Sequence, residues 1–253
     1  MKKAEKVFRI VSIVIIVGCC LLYGGRLIYY YNKLKPEKVD GKVIEYIAQT
    51  IKGENGIAYE NEGLYMINSE YVFKGDVKNN YVTYSDKLWR IVSINADGSV
   101  KLVLDEGINV MSFNTANNEF ENSTIYTYLN TNFINELTEN DKYLINTSMC
   151  VDGVTSLSKI TCDDKLDNVK VGLLEVQDFA LSLNSNHSYI DSDNAFWLVN
   201  GYNNDKVWVA YDSKLTQDSY LEEYDVRPVI TLNGKVKVAS GKGTVTDPYK
   251  LEV

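Results

Sequence analysis

An uncharged apolar segment near the start of the chain restricts what the chain can become. The sixteen residues 10–25 carry no charged side chain, and they lie between Arg9 and Arg26. As a helix they would extend about 24 Å, which is less than a hydrocarbon core of roughly 30 Å. The flanking arginines can lengthen the span, since their aliphatic stems can lie in lipid while the charges reach water. Residues 10–31 are therefore predicted to be a single transmembrane anchor.

Two other uses of this segment remain open. Residues 16–19, Ile-Val-Gly-Cys, resemble a lipobox, in which lipidation of Cys19 would create a new N-terminus. The residues after Cys19 stay apolar, however, whereas lipoproteins usually turn polar there. A cleaved signal peptide would need a small-x-small site after the apolar core, and the sequence has no clear one. The retained anchor is therefore favoured over lipidation and cleavage.

The charges around the segment predict its orientation and the compartment of the rest. The cations of residues 1–9 compete with Arg26, Lys33 and Lys35, so the positive-inside bias is slight. The tail of residues 1–9 is short enough to stay in the cytoplasm. We expect a cell-membrane protein with a cytoplasmic N-terminus and an extracytoplasmic C-terminal domain.

The charge balance excludes one class of partner. Residues 1–35 hold seven Lys/Arg and one Glu, a net charge of +6, so the whole-chain charge of −8 leaves −14 for residues 36–253. Such an acidic domain is repelled by nucleic acid and by anionic headgroups. No nucleic-acid partner is expected.

Cysteine usage agrees with an extracytoplasmic domain. Cys19 and Cys20 lie in the apolar segment, and only Cys150 and Cys162 lie beyond it. Two cysteines that close a short loop outside the cytoplasm are predicted to form a disulfide. The alternative is a reactive thiol, but there is no CxxC motif and no basic cluster beside either cysteine to lower its pKa.

The remaining chain divides into a spacer and one domain. Residues 32–60 are predicted to be a stalk with a short amphipathic helix, and residues 61–253 a single domain large enough for one core. The apolar face of the stalk helix consists of Val43, Ile44, Ile47 and Ile51.

The domain pattern predicts strands at both ends and helices between them. Residues 88–104 should form a hairpin, because Asn-Ala-Asp-Gly at 95–98 is a turn signal between two apolar runs. Ser123 or Thr124 should cap the first helix. Its apolar face is Ile125, Tyr128, Leu129 and Phe133, and that of the second helix is Val176, Phe179, Ala180 and Leu183. The predicted fold class is α+β, mainly antiparallel, with two central helices.

Catalytic and metal-binding motifs are scarce. The one histidine, His187, lies in a predicted loop, and the sequence has no HExxH, GxSxG or phosphate-loop motif. No metal site and no cofactor are assigned. Oxygen-ligand calcium sites stay open at residues 191–194 and 200–205, although turn chemistry accounts for both stretches.

Four large side chains are assigned to structure. Trp89, Trp197 and Trp208 each lie in a strand-like run and are predicted to be core residues. Arg227 lies in an apolar strand beside Pro228, where a buried charge must be paired. We expect Arg227 to hold a carboxylate or loop carbonyls.

A family resemblance is carried by residues 81–103, by residues 123–137, and by a closing set made of residues 171–181, 196–199, 207–209 and 224–253, in which Val-Arg-Pro-Val-Ile is the most specific part. Together they resemble an uncharacterised extracytoplasmic domain of Gram-positive surface proteins. Residues 172–181, 207–209 and 226–230 are more distantly similar to elements of the C-type-lectin-like fold, which formylglycine-generating enzymes share. The resemblance implies paired first and last strands and a ligand face made of long loops. The lectin calcium motifs and the enzyme's cysteine pair are absent.

The sequence therefore favours a membrane-anchored extracytoplasmic module that binds a cell-envelope ligand, a glycan or a protein. Whether it is an enzyme is left uncertain, with no catalytic residue assigned. The alternatives are an envelope hydrolase that uses two carboxylates and a structural subunit of a membrane assembly. The predicted ligand-binding residues are Asn200, Tyr202, Asn203, Asn204 and Asp205.

Overall fold

The computed structural model describes residues 46–152, 162 and 164–252, with the backbone of two short strands before them. These strands, β1 (Lys38–Val39) and β2 (Lys42–Val43), pair antiparallel. The chain forms two compact units, Met1–Ile44 and Glu45–Val253. The predicted transmembrane segment lies outside the described residues. Within the part described, no helix is long and apolar enough to cross a membrane.

The larger unit is built mainly from β-sheet. Of the described residues, 44% lie in strands and 16% in helices. The prediction of an α+β, C-type-lectin-like domain with two central helices is therefore wrong. The described helices are α1 (Ile47–Asn55), α2 (Thr124–Thr131), α3 (Asn140–Tyr143), α4 (Val176–Ser182) and a 3₁₀ helix (Phe133–Glu136).

The first sheet has nine strands and is antiparallel except where the last strand joins it. Its central order is β11-β16-β7-β6-β5-β18-β17, and β4 also pairs with β6 and with β3. The pairing of β18 with β5 is parallel. The strands are β3 (Gly63–Ile67), β4 (Glu70–Lys74), β5 (Tyr81–Tyr84), β6 (Lys87–Ile94), β7 (Val100–Leu104), β11 (Val171–Gly172), β16 (Val229–Leu232), β17 (Val238–Ser240) and β18 (Tyr249–Leu251).

The second sheet has five strands in the order β14-β13-β12-β15-β8. Its strands are β8 (Val110–Ser112), β12 (Phe196–Asn203), β13 (Lys206–Tyr211), β14 (Lys214–Ser219) and β15 (Glu223–Asp225). A separate hairpin of β9 (Thr147–Asp152) and β10 (Asp164–Val169) carries the disulfide between Cys150 and Cys162, which confirms the predicted pairing.

Local patterns predict several elements correctly. The hairpin expected at residues 88–104 is β6 paired with β7, with the turn at 95–98. Ser123 caps α2, since its hydroxyl accepts a hydrogen bond from the Tyr126 amide. Ile125 and Leu129 on α2, and Val176 and Phe179 on α4, are buried as the helical spacing requires.

The helix assigned to the stalk belongs to the domain. It begins at Ile47 rather than Val43, because Val43 lies in β2. Ile47 and Ile51 are fully buried in the main core, and the amide of Ile47 donates to the Val236 carbonyl. The compact unit starts at Glu45, within the residues assigned to the stalk.

The core runs continuously under both sheets. Trp89 and Trp197 are fully buried, and Trp208 is 2% exposed. Trp197 packs edge-on against Tyr224 with ring centroids 4.9 Å apart, and its indole nitrogen donates to the Met111 carbonyl. All three tryptophans therefore fill the interior and offer no open face to a ligand.

Candidate functional site

An open, acidic cleft of about 720 Å³ lies where loops from the two sheets meet. Strands β5 and β6, the segment after β7, the loop before β12, the β13–β14 turn and β15 all contribute to its lining. No aliphatic side chain lines it. Its carboxylates are Asp105, Glu106, Asp191, Asp193, Asp212 and Asp225, and its tyrosines are Tyr81, Tyr189 and Tyr211.

Arg227 fixes the backbone beneath this cleft. It lies where the chain leaves β15 of the five-stranded sheet and enters β16 of the nine-stranded sheet, next to Pro228. Its guanidinium donates to the carbonyls of Leu104, Asp105 and Ile190, with Nε 3.1 Å from Leu104 and Nη2 2.9 Å from Asp105. One buried side chain thus holds together the segments that carry Asp105 and the loop after Ile190.

A second arginine, Arg90 on β6, forms the floor of the cleft. Its Nε donates to Asn80 Oδ1 at 2.8 Å and its Nη2 to the Val77 carbonyl at 2.7 Å. Its Nη1 donates to the Tyr81 hydroxyl at 2.6 Å and lies 3.7 Å from Asp105 Oδ1. Burial lowers the pKa of Arg90, and the nearby Tyr81 and Asp105 oppose this effect. A guanidinium keeps its proton in proteins, so Arg90 partly balances the nearby carboxylates.

Another part of the cleft lining is a tight turn that the Asp191 carboxylate holds in place. Asp212 and Ser213, with φ of 50° and 55°, form the two-residue turn between β13 and β14. Asp191 Oδ1 accepts from the Ser213 amide at 2.8 Å, and its Oδ2 accepts from the Ser213 hydroxyl. A hydrogen bond from Lys214 lowers the pKa of Asp212. Tyr211, which is 50% exposed, presents its ring at the same turn.

Asp225 is the most buried carboxylate of the cleft, at 8% exposure. Its Oδ2 accepts a hydrogen bond from Asn194 Nδ2 at 3.1 Å. Gly107 packs directly on it, since a Cβ atom at that position would lie 2.7 Å from Asp225 Cγ. A side chain larger than glycine would therefore push the carboxylate out of place.

The cleft has more negative than positive charge. Glu106 and Asp193 are exposed, and neither forms an ion pair or hydrogen bond with another side chain in the part of the chain described. Asp105 faces Arg90, and Asp212 pairs with Lys214 at 2.8 Å. Clefts lined by one sign of charge concentrate ligands of the opposite sign. This cleft is therefore suited to a cationic ligand.

The structure places the predicted ligand-binding residues at the end of β12 and in the turn after it, and none of them lines this cleft. Asn200 is 1% exposed, and its side chain accepts from the Val176 amide and donates to the Cys150 carbonyl. Tyr202 packs edge-on against Trp208 at 5.4 Å. The side chain of Asn203 accepts from the Asp205 amide at 3.0 Å.

Asn204 is exposed at the turn between β12 and β13, beside Asp205. The Nδ2 atom of Asn118 donates to the carbonyls of Asn203 and Lys206, which ties this turn to the loop before α2. The backbone carbonyls on both sides of the turn are thus used within the domain.

The two stretches considered for calcium contribute to different parts of the fold. Among the described residues, no group of three or more His, Cys, Asp or Glu side chains is placed to hold a metal ion. Residues 191–194 contribute to the acidic cleft, and residues 200–205 form the end of β12 and the turn that follows it.

Comparison of the chain with protein-family models, with curated proteins and with solved structures found no match.

Sequence reasoning missed the cleft because its acidic residues come from separate stretches, each of which resembles an ordinary turn. Residues 191–194 carried one signal, as a candidate cation-binding loop. Arg227 was the second clue, since a charge in an apolar strand requires partners nearby.

Proposed function

We propose that this protein is an extracytoplasmic binding module whose acidic cleft takes a cell-envelope glycan that carries free amino groups. The observation behind the proposal is the open cleft, with six carboxylates around the single arginine in its lining. The chain does not need to supply catalytic groups for this function. A basic protein segment is the competing ligand.

Charge supports a cationic ligand. Glu106 and Asp193 are free to pair with ammonium groups, while Asp105 and Asp212 already face cations of the domain. Complementary charge across an interface raises the association rate and selects against the wrong partner. A neutral glycan would leave the exposed carboxylates without partners.

The chemistry of the lining supports a glycan over a protein segment. Peptide-binding grooves usually hold apolar side chains in pockets, and this cleft has no aliphatic lining. Its carboxylates, together with Ser192 and Asn194, offer hydrogen-bond partners for hydroxyl and amino groups. The exposed ring of Tyr211 provides one apolar surface for a sugar face.

The disulfide supports the proposed compartment. Structural disulfides persist in oxidising environments outside the cytoplasm. Residue Cys162 is exposed, so a reducing cytosol would have access to this bond. Attachment to the membrane through residues 10–31 stays a separate prediction on which the cleft does not depend.

The test compares two chitooligosaccharides of equal length, one partly N-deacetylated and one fully acetylated, as ligands of the full-length protein in detergent. Isothermal titration calorimetry should give binding of the deacetylated oligomer only, weakened by added salt. The double variant Glu106→Gln/Asp193→Asn should bind at least tenfold more weakly. The control double variant Glu54→Gln/Glu222→Gln removes the same charge outside the cleft and should bind normally.

Equal binding of both oligomers, or equal affinity of the cleft and control variants, would overturn the proposal. A lysine-rich peptide serves as the second arm of the experiment. If the peptide binds more tightly than the amino sugar and the cleft variant abolishes this, the cleft is a site for basic protein segments and the glycan assignment is wrong.

A further inference from the structure

A second cavity, of about 290 Å³, lies between the nine-stranded sheet and helix α4. It is separate from the acidic cleft and shares no lining residue with it. Polar side chains from β6, β7, β16 and the start of α4 face it. They include Ser93, Lys101, Thr231, Glu175 and Asp178.

Three of these residues form a row across the sheet. Lys101 on β7 is the pairing partner of Ser93 on β6 and of Thr231 on β16. Residues directly opposite each other on neighbouring strands place their side chains on the same face. An irregularity between Ile91 and Ser93 puts Ser93, and not Val92, opposite Lys101. Bulges of this kind often re-aim a side chain beside a functional site.

Helix α4 places two carboxylates over Lys101. The Lys101 Nζ lies 3.0 Å from Asp178 Oδ1 and 3.5 Å from Glu175 Oε1. Glu175 and Asp178 also form the capping box at the start of the helix. The carboxylates of Glu175 and Asp178 share the single ammonium of Lys101, so these three charged side chains have a net charge of −1.

The two hydroxyls of the row lack partners although they are buried. Ser93 is 4% exposed and Thr231 is 2% exposed, and neither side chain makes a hydrogen bond to another described residue. Every fully enclosed side-chain oxygen or nitrogen in the described part has a partner. The two hydroxyls must therefore be accessible from the cavity that they line. Helix capping accounts for the position of the Glu175 and Asp178 carboxylates. It does not account for two buried hydroxyls that have no hydrogen-bond partner in the described part of the chain.

We propose that this cavity binds the primary ammonium group of a small amine. An ammonium has three donors, and it can donate to the Glu175 carboxylate and to one of the two hydroxyls, since Ser93 and Thr231 lie two strand spacings, about 9–10 Å, apart. The added charge balances the cluster of Lys101, Glu175 and Asp178. The volume is near the lower end of small-molecule pockets and far exceeds the space of one water, about 30 Å³. The inference does not rest on the function proposed for the cleft.

The experiment titrates the full-length, ¹⁵N-labelled protein in detergent with ethanolamine and, separately, with ethylene glycol. The two probes are of nearly equal size, and ethanolamine carries an ammonium group where ethylene glycol carries a second hydroxyl. Ethanolamine should cause saturable shifts of backbone amides in β7 and at the start of α4. Ethylene glycol should cause none that saturate.

Variants locate the site. The double variant Ser93→Ala/Thr231→Val should weaken ethanolamine binding at least tenfold. Thr231→Ser keeps a hydroxyl and should bind normally, which controls for damage to the fold. Glu106→Gln/Asp193→Asn, in the acidic cleft, should also bind normally, so failure of one site is distinguishable from failure of the other.

Three results would overturn the inference. One is equal binding of ethylene glycol, which would make the cavity a site for hydroxyls without a need for charge. Another is the absence of saturable shifts at β7 and α4, which would mean that the cavity holds water only. The third is equal ethanolamine affinity in the wild type and in Ser93→Ala/Thr231→Val.

Discussion

Lys101 Nζ lies 3.0 Å from each carboxylate oxygen of Asp178, although 77 residues separate the two along the chain. The contact joins the centre of the nine-stranded sheet to the first turn of α4. Burial would lower the pKa of Lys101, but Asp178 and Glu175 raise it above its ordinary value. The lysine therefore stays charged, and the ion pair fixes where the helix begins over the sheet.

Replacing Lys101 with methionine should destabilise the domain strongly. The substitution leaves Glu175 and Asp178 poorly solvated and without a cation, and breaking a buried ion pair from one side typically costs about 3–5 kcal/mol. Both carboxylates are less than one-fifth exposed. Denaturant unfolding measures the loss.

The control is Lys142→Met, which removes an exposed pair with Glu139 and should leave the free energy of unfolding nearly unchanged. Similar losses for the two variants would contradict a special role for Lys101.

The stability of the domain should depend on pH through Glu175. Burial, the largest effect, and the neighbouring Asp178 raise its pKa above the ordinary 4.5, although Lys101 opposes them. The folded protein then holds this proton more tightly than the unfolded chain. The contribution is fully present below pH 4.5 and is lost as pH rises through the raised pKa.

Glu175→Gln removes this titration and provides the measurement. Between pH 7 and about 4.5, the free energy of unfolding of the wild type should rise relative to that of the variant. The difference should be largest at the acidic end. A difference that is constant across this range would show that Glu175 titrates alike in the folded and unfolded chain.

Local signals in the sequence predict local structure well. The β6–β7 hairpin follows from alternating apolar residues around Asn95–Gly98, and α2 follows from a serine cap and helical spacing. The disulfide follows from two cysteines in a short loop. Each of these features depends on residues that are near one another in the chain.

Long-range pairing explains what the sequence could not predict. The parallel pairing of Tyr249 with Val82 joins β18 to β5, and no residue of either strand specifies its partner. Short strands such as β8 and β15 lack an alternating pattern, so the sheet content was underestimated and the fold class was wrong. The acidic cleft and the row of Ser93, Lys101 and Thr231 exist only after such pairings form.

Arg227→Met should be more damaging than a typical core substitution. It deprives three carbonyl oxygens of their donor and removes the group that ties Asp105 to the loop after Ile190. Burial lowers the pKa of Arg227 to about 10, so the side chain is charged at neutral pH. We expect a loss of about 3–5 kcal/mol in the free energy of unfolding.

Arg227→Lys keeps the charge but cannot reach all three carbonyls in the same plane, so it should be only a partial substitute. The exposed Lys235→Met change is the control and should stay within about 0.5 kcal/mol of the wild type. If Arg227→Lys is as stable as the wild type, charge alone and not the planar fork holds the segments beneath the cleft.

Removing the disulfide should destabilise the domain through the unfolded chain. Cys150 and Cys162 are 12 residues apart, and a crosslink that closes a loop of this size contributes about 3 kcal/mol in the chain-entropy model. The double variant Cys150→Ser/Cys162→Ser should therefore unfold at lower denaturant concentration. A reductant should shift the wild type by the same amount and leave the variant unchanged, since the variant keeps only Cys19 and Cys20. If the reductant does not move the wild-type midpoint, the bond adds nothing to stability, and the β9–β10 hairpin is held by contacts such as the 2.7 Å hydrogen bond from Asn200 to the Cys150 carbonyl.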